Sequence, residues 1–246
     1  MSASTLRIGV LMPEVLGTYG DTGNALILAE RARRRGIEAE VVHVGLTEDI
    51  PDSLDIYTLG GGEDTAQALA ADKFRGTSGL SRALDAGRPL LAICASLQVL
   101  GHWYEDARGV RVPGMGVLDI TTRPQGHRAI GELVCEPVLD GLTQTLTGFE
   151  NHGGGTVLGP DASPLGRVIS GVGNGTPQGE EAPEVRYDGA VQGSVIATYM
   201  HGPALARNPE LADLLLERAT GATLEPLDVP GVAELRKERL AGIQLS

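Results

Sequence analysis

The feature that most constrains the fold is an alternation of short apolar runs with helix-periodic segments along the first hundred residues. The apolar runs are LRIGVLM (6–12), EAEVVHV (38–44), DIYTLGGG (55–62) and RPLLAIC (88–94). Segments with helical periodicity lie between them, at about 24–35, 64–74 and 77–86. Strands that alternate with helices predict a parallel sheet with both faces covered. We therefore predict an α/β fold with a mostly parallel central sheet flanked by helices, a flavodoxin-like three-layer sandwich.

The second half of the chain has a different character. Short strand-like pieces, at 116–122, 128–135, 166–170 and 194–200, are separated by connections rich in Gly and Pro. We predict extra strands there, a mobile loop over 170–183, and a single domain spanning 1–246. The segment NPELADLLLERATG predicts a helix with Pro209 in its first turn and Gly221 at its end, and PGVAELRKERL predicts a final amphipathic helix.

Charge and composition exclude some partners and settings. A net charge of −12 argues against direct binding to nucleic acid or anionic lipid. The one basic run, Arg33 to Arg35, is interpreted as a solvated helix end. The sequence offers neither a signal peptide nor a metal-binding Cys/His spacing. We expect a reduced, cytoplasmic setting.

Cys94 stands where the apolar run of 88–94 stops and a helical pattern begins. It is either a packed thiol or a nucleophile held at a strand-to-helix turn. Small residues two positions before and after it, Ala92 and Ser96, favour the second interpretation, because a nucleophile elbow needs little bulk around it. Helix amides beyond the turn favour a thiolate. Cys135, in the alternating strand GELVCEPV, is predicted to be core.

A thiol nucleophile needs a base, and two of the five histidines are placed to serve. His152 in FENHGGG and His201 in VIATYMHGP both follow a strand end. Each could equally be a hydrogen-bonded turn residue. His102 lies too far along the helix predicted after Cys94 to turn back toward it.

Four segments, in this order, make the chain resemble the class I (triad) glutamine amidotransferases, in the branch of cobyric acid synthase-like domains. They are LGGGEDTAQ (59–67), LAICASLQVLG (91–101), GFENHGG (148–154) and ATYMHGP (197–203). Within that branch the chain is most similar to the glutaminase subunits of lipid II isoglutaminyl synthase. YGDTGN (19–24), RAIGEL (128–133) and TYMHGPALARNPELAD carry the closer likeness.

The resemblance implies roles for matching positions. Cys94 is expected to attack the side-chain amide of L-glutamine, with His201 as general base and then acid. The backbone amides of Gly61 and Ala95 are expected to form the oxyanion hole.

Substrate contacts are also implied by the resemblance. Arg128 is expected to hold the α-carboxylate of glutamine, which suits a planar guanidinium, although it could be a surface residue at a strand start. Gln98 is expected to contact substrate or orient the turn.

One departure from the family pattern concerns the third triad member. Many members carry a glutamate two residues after the histidine, where this chain has Pro203. The carboxylate must come from elsewhere in this chain or from a partner. The resemblance favours a Mur-ligase-like synthetase subunit as its donor, so we expect weak glutaminase activity from the isolated chain.

The implied function is a glutaminase that passes ammonia to that synthetase subunit in a heterodimer. The partner would amidate D-glutamate of lipid II to D-isoglutamine in peptidoglycan synthesis, at the inner face of the membrane. No cofactor is expected in this chain; ATP and Mg are expected on the partner. Two alternatives stay open: a glutaminase for another amidation, such as cobyric acid synthesis, and a catalytically silent binding module of the same fold.

Overall fold

The computed structural model describes residues 5–242. Its strands are β1 (Leu6–Leu11), β2 (Ala39–Val44), β3 (Ile56–Leu59), β4 (Leu90–Ile93), β5 (Trp103–Glu105), β6 (Arg111–Pro113), β7 (Ile120–Pro137), β8 (Leu146–Leu158), β9 (Gly166–Ser170), β10 (Tyr187–Asp188), β11 (Ala190–Gln192) and β12 (Val195–Thr198). Its helices are α1 (Gly23–Arg33), α2 (Asp64–Arg75), α3 (Gly79–Asp85), α4 (Ala95–Leu100), α5 (Ala204–Arg207), α6 (Pro209–Thr220) and α7 (Val232–Ala241).

The predicted central sheet is present, in the order β11-β12-β4-β3-β1-β2. All its neighbouring strands pair in parallel except β11, which runs antiparallel to β12 at one edge. Strands β3, β4 and β12 are buried along their whole length, as expected for strands covered on both faces. The α/β fold class predicted from the alternation is therefore confirmed.

A second sheet, which the sequence did not predict as a separate layer, contains most strands of the second half. Its order is β10-β9-β7-β5-β6, and β8 pairs antiparallel with β7. The pieces predicted at 116–122 and 128–135 belong largely to one 18-residue strand, β7. Its pairing with β8 shifts register between Pro124 and Ala129, where the sequence pattern was read as a break.

The helices agree with the predictions in the first half and depart from them at two later places. The predicted apolar face of α1, formed by Ala25, Leu28, Ala29 and Ala32, is fully buried. The helix after Cys94 is shorter than expected, because α4 ends at Leu100 and β5 follows. Helix α7 is present where it was predicted, but none of its residues is fully buried; Val232, Arg236 and Leu240, on one face, are half-buried. No helix between residues 5 and 242 is long and apolar enough to cross a membrane.

Candidate active site

Four adjacent strands of the central sheet end at the same edge, and each is followed by a residue of the candidate site. In the order β12-β4-β3-β1, these strands lead into His201, Cys94, Gly61 and the loop that carries Asp21. Parallel strands present their carboxyl ends together, which is where open α/β sheets bind ligands. The strand order therefore brings together residues that lie far apart in sequence.

Cys94 adopts the strained backbone expected of a nucleophile elbow. Its φ is +52°, a left-handed conformation that non-glycine residues seldom adopt. Its N–H donates to the Thr198 carbonyl at 2.8 Å, which fixes the turn against β12. The residue is 8% exposed and lines a cavity of about 390 Å³, so its sulfur is not sealed in the core. The position is that of a reactive thiol.

His201 is buried and is oriented by a carboxylate of the same chain. Its Nδ1 lies 2.8 Å from Oδ2 of Asp21, and both side chains are almost fully buried. Gly61 lies close to both His201 and Cys94. A Cβ atom added to Gly61 would lie 2.7 Å from Cε1 of His201 and 3.4 Å from the Cβ of Cys94. Asp21, His201 and Cys94 therefore form one cluster.

The surroundings of His201 favour its charged form. Burial lowers the pKa of the imidazole, but the Asp21 carboxylate bound at Nδ1 and the neighbouring Cys94 outweigh burial and raise it to about 10. Among the described residues Nε2 has no hydrogen-bond partner, and Cys94 lies beside the ring without a hydrogen bond to it. A pKa raised in this way favours the imidazolium, and a cation beside a thiol favours the thiolate.

The contact between Asp21 and His201 concerns the third triad member. Because Pro203 occupies the usual position of that acid, two sources were left open, an acid elsewhere in this chain and a partner subunit, and the resemblance favoured the partner. The Asp21 carboxylate already accepts at Nδ1, so this chain supplies that contact itself. Sequence reasoning missed Asp21, although it lies in YGDTGN, in the loop between β1 and α1.

The expected oxyanion role of Gly61 does not fit this arrangement. Its N–H donates to Oδ2 of Asp21 at 2.9 Å, so it directs no free donor at a substrate. Gly62 and Ala95 do line the cavity. Ala95 is the first residue of α4, where N–H groups lack intrahelical acceptors. The expected contribution of Ala95 stays a prediction.

Arg128 lines the cavity together with four carboxylates. The register shift in β7 places residues 125–128 outside regular pairing, and the Arg128 side chain is exposed at the cavity. Its Nε donates to Asn151 Oδ1 at 2.6 Å. The carboxylates that line the same cavity are Glu63, Asp64, Glu105 and Asp106. The cavity lining thus carries both positive and negative side chains.

Gln98 lines the cavity and connects its floor to the core. Its Nε2 donates to the Tyr199 hydroxyl at 3.0 Å, and its Oε1 accepts from Gln67 Nε2 at 2.6 Å. Both contacts hold the Gln98 amide in one orientation. This fits the expectation that Gln98 contacts substrate or orients the turn, and the choice between the two stays open.

His152, the other candidate base, lines the cavity but does not serve Cys94. Its Nδ1 lies 3.0 Å from the Gly154 carbonyl, its Nε2 lies 3.6 Å from Glu150 Oε2, and its ring stacks on Tyr199 at 3.8 Å. Cys135 is fully buried, as predicted, and burial raises the pKa of its thiol. His102 is bound to Asp119 outside the site.

Comparison with known proteins agrees with this geometry. The family of CobB/CobQ-like glutamine amidotransferase domains matches residues 7–209. A relative from Staphylococcus aureus (strain N315), the subunit GatD of lipid II isoglutaminyl synthase (glutamine-hydrolyzing), is 36% identical over 240 residues, 96% of this chain and 94% of the relative. The same subunit of Streptococcus pneumoniae (strain ATCC BAA-255 / R6) is 33% identical over 96% of this chain and 89% of the relative.

Solved structures support the fold. A crystal structure of a glutamine amidotransferase superposes with a TM-score of 0.54 at 21% identity, over 87% of this chain and 98% of that one. A glutamine amidotransferase from Thermotoga maritima superposes with a TM-score of 0.50 at 17% identity, over 96% and 86% of the two chains. From the match over residues 7–209 and the similarity along nearly its whole length, the chain belongs to the CobB/CobQ-like glutamine amidotransferase family.

Proposed function

We propose that the chain hydrolyses L-glutamine through a thioester on Cys94. The observation that carries the proposal is the buried Asp21–His201 pair beside a cysteine on a strained strand-to-helix turn. An imidazolium next to a thiolate supplies both a nucleophile and a proton donor.

The first half of the reaction releases ammonia. The Cys94 sulfur attacks the side-chain carbonyl carbon of glutamine, and the carbonyl electrons move to oxygen to give a tetrahedral oxyanion. As the C=O bond re-forms, the C–N bond breaks. His201 gives its Nε2 proton to the departing nitrogen, which leaves as ammonia, and a γ-glutamyl thioester remains.

The second half restores the cysteine. The now neutral His201 accepts a proton from water at Nε2, and the hydroxide oxygen attacks the thioester carbonyl. The C–S bond breaks, and the γ-carboxylic acid product loses its proton to solvent and is released as glutamate. Cys94 returns to the thiolate and His201 to the imidazolium. Asp21 keeps Nδ1 protonated and the ring oriented in both halves.

The charges of the cavity suit the two ends of a free amino acid. Arg128 is assigned to the α-carboxylate, since a guanidinium binds a planar anion through paired donors. The carboxylates of the cavity lining favour the α-ammonium group. Glutamine is proposed to bind in this cavity with its side-chain amide directed to Cys94.

The ammonia is proposed to serve lipid II amidation. Two relatives that span 96% of this chain are named as GatD subunits of lipid II isoglutaminyl synthase. We assign this chain the same part: it supplies ammonia to a Mur-ligase-like partner, which uses ATP and Mg²⁺ to activate the α-carboxylate of D-glutamate. The product is D-isoglutamine. The place of action is the inner face of the membrane, reached through the partner.

The thioester mechanism is tested with a glutamine analogue that carries an electrophilic diazoketone. We expect covalent labelling of Cys94, detected by peptide mass spectrometry, and protection by L-glutamine. Cys94→Ser should abolish labelling and glutamine hydrolysis. Cys135→Ser is the matched control, because that thiol is buried away from the cavity. No labelling of Cys94, or labelling that glutamine does not reduce, would favour a silent binding module.

The role in amidation is tested by following nitrogen. The chain and a co-purified Mur-ligase-like ATPase are supplied with amide-¹⁵N glutamine, ATP, Mg²⁺ and lipid II. We expect ¹⁵N in the D-isoglutamine of the product, and none with Cys94→Ser. Glutamine hydrolysis without transfer to lipid II, in a complex that amidates lipid II from free ammonia, would point to another acceptor.

A further inference from the structure

Tyr19 lies beside His201 and has a left-handed backbone conformation. Its φ is +60°, in the left-handed region that bulky residues rarely adopt. Its ring lies 4.8 Å from the His201 ring between centroids, inclined by 58°, and 6.5 Å from the ring of Phe149. Although 45% of Tyr19 is exposed, the ring thus covers one side of the buried imidazole.

The hydroxyl end of Tyr19 contacts Asn151, a residue that lines the cavity. Asn151 Nδ2 donates to the Tyr19 hydroxyl, and Asn151 Oδ1 accepts from Arg128 Nε at 2.6 Å. Since Oδ1 and Nδ2 belong to one planar amide, fixing Nδ2 also fixes the acceptor for Arg128. A continuous path therefore joins the assigned substrate arginine to the ring that packs on His201.

The loop that carries Tyr19 contacts the catalytic cluster through three of its residues. Thr18 N–H donates to the Gly61 carbonyl at 3.2 Å, Tyr19 packs on the face of His201, and Asp21 binds Nδ1 of the same ring. One short loop therefore contacts the imidazole twice, through Asp21 at Nδ1 and through the aromatic ring of Tyr19. The left-handed Tyr19 is the residue that turns this loop outward to Asn151.

We infer that Tyr19 is a positioning residue for glutamine, acting through Asn151 on Arg128. The inference rests on the proposed function. With Nε bound to Asn151, the Arg128 guanidinium has its remaining donors available for the substrate α-carboxylate. The hydroxyl of Tyr19 thus governs glutamine binding, and its ring shields His201 from solvent.

Tyr19→Phe separates the role of the Tyr19 hydroxyl from that of its ring, because it removes the hydroxyl and keeps the ring. In steady-state glutamine hydrolysis by the full chain, we expect KM to rise about five-fold, as for one lost hydrogen bond, with kcat within about two-fold of the original. Tyr187→Phe is the matched control, an exposed tyrosine that does not line the cavity, and should change neither constant. Tyr19→Ala removes the ring as well and should also lower kcat.

Coupling between the residues provides the decisive measurement. In an Asn151→Ala background, or in Arg128→Ala, Tyr19→Phe should raise KM no further, because the path is already broken. An unchanged KM in Tyr19→Phe, or effects that multiply independently with Asn151→Ala, would overturn the inference. If the unsubstituted chain neither hydrolyses glutamine nor shows glutamine-protected labelling of Cys94, the proposed function itself fails.

Discussion

His201 Nδ1 and Asp21 Oδ2 lie 2.8 Å apart although 180 positions separate the two residues. The contact depends on the strand order, which places β12 and β1 in one sheet with β4 and β3 between them. The carboxylate reaches the imidazole from the loop after β1. Cys94, His201 and an acid thus lie together within one chain, although no acid stands beside the histidine in sequence.

Asp21→Asn should lower kcat/KM for glutamine hydrolysis by about 100-fold or more, because orientation and charge at the general acid–base are lost together. The amide can still accept from Gly61 N–H, so the fold should persist, as circular dichroism can verify. Asp85→Asn, at an exposed helix end, is the control. If the isolated chain keeps full activity after Asp21→Asn, or if the unsubstituted chain is inactive until a partner binds, the required carboxylate comes from elsewhere.

The pH dependence of kcat/KM should reflect the raised pKa of His201. The imidazolium persists above the ordinary value of 6.5, so activity should stay high through neutral pH and fall only as the pH approaches about 10. Asp21→Asn removes one cause of the raised pKa and should move the basic limb to lower pH. The stability that the pair contributes is complete below about pH 6.5 and is lost as pH rises through about 10. An unmoved basic limb would contradict this assignment.

Gly61→Ala should inactivate the enzyme without unfolding it. An added Cβ would lie 2.7 Å from His201 Cε1 and 3.3 Å from Asp21 Oδ2, so the imidazole must leave its present position beside Asp21 and the thiol. We expect kcat to fall at least 100-fold while the thermal midpoint changes by a few degrees. Gly76→Ala is the control, because its added Cβ makes ordinary contacts only. Unchanged kcat in Gly61→Ala would mean that the imidazole position is not critical.

The sequence was sufficient for the parts of the molecule that local patterns determine. The apolar runs located β1 to β4, and the small residues around Cys94 indicated the strained turn, since both depend on neighbours a few positions away. The second sheet was not predictable in the same way. Strand β7 contains Pro124 and a register shift, so its pairing with β8 depends on long-range contacts that leave no simple period.

The missing members of the site have the same explanation. Asp21 and Tyr19 contact His201 because β1 and β12 belong to the same sheet, with β3 and β4 between them. No motif or spacing in the sequence reveals this strand order. At the basic run 33–35 the sequence suggested too little structure, because a buried contact was not foreseen. The run was interpreted as a solvated helix end, yet Arg35 binds Asp213 of α6 at 2.9 Å, with its side chain 9% exposed.

Asp213→Ala should therefore destabilise the fold through the helices behind the site. Asp213 accepts two bonds from Arg31, at 2.7 and 2.6 Å, and one from Arg35, joining α1 to α6. Its loss leaves two largely buried guanidinium groups without their anion, and we expect the free energy of unfolding to fall by about 3 kcal/mol. Glu30→Ala is the matched control, since it breaks the exposed pair with Arg34 on the same helix and should cost less than about 0.5 kcal/mol. Urea unfolding of both variants measures the difference. Equal effects would mean that the buried cluster adds nothing beyond a surface ion pair.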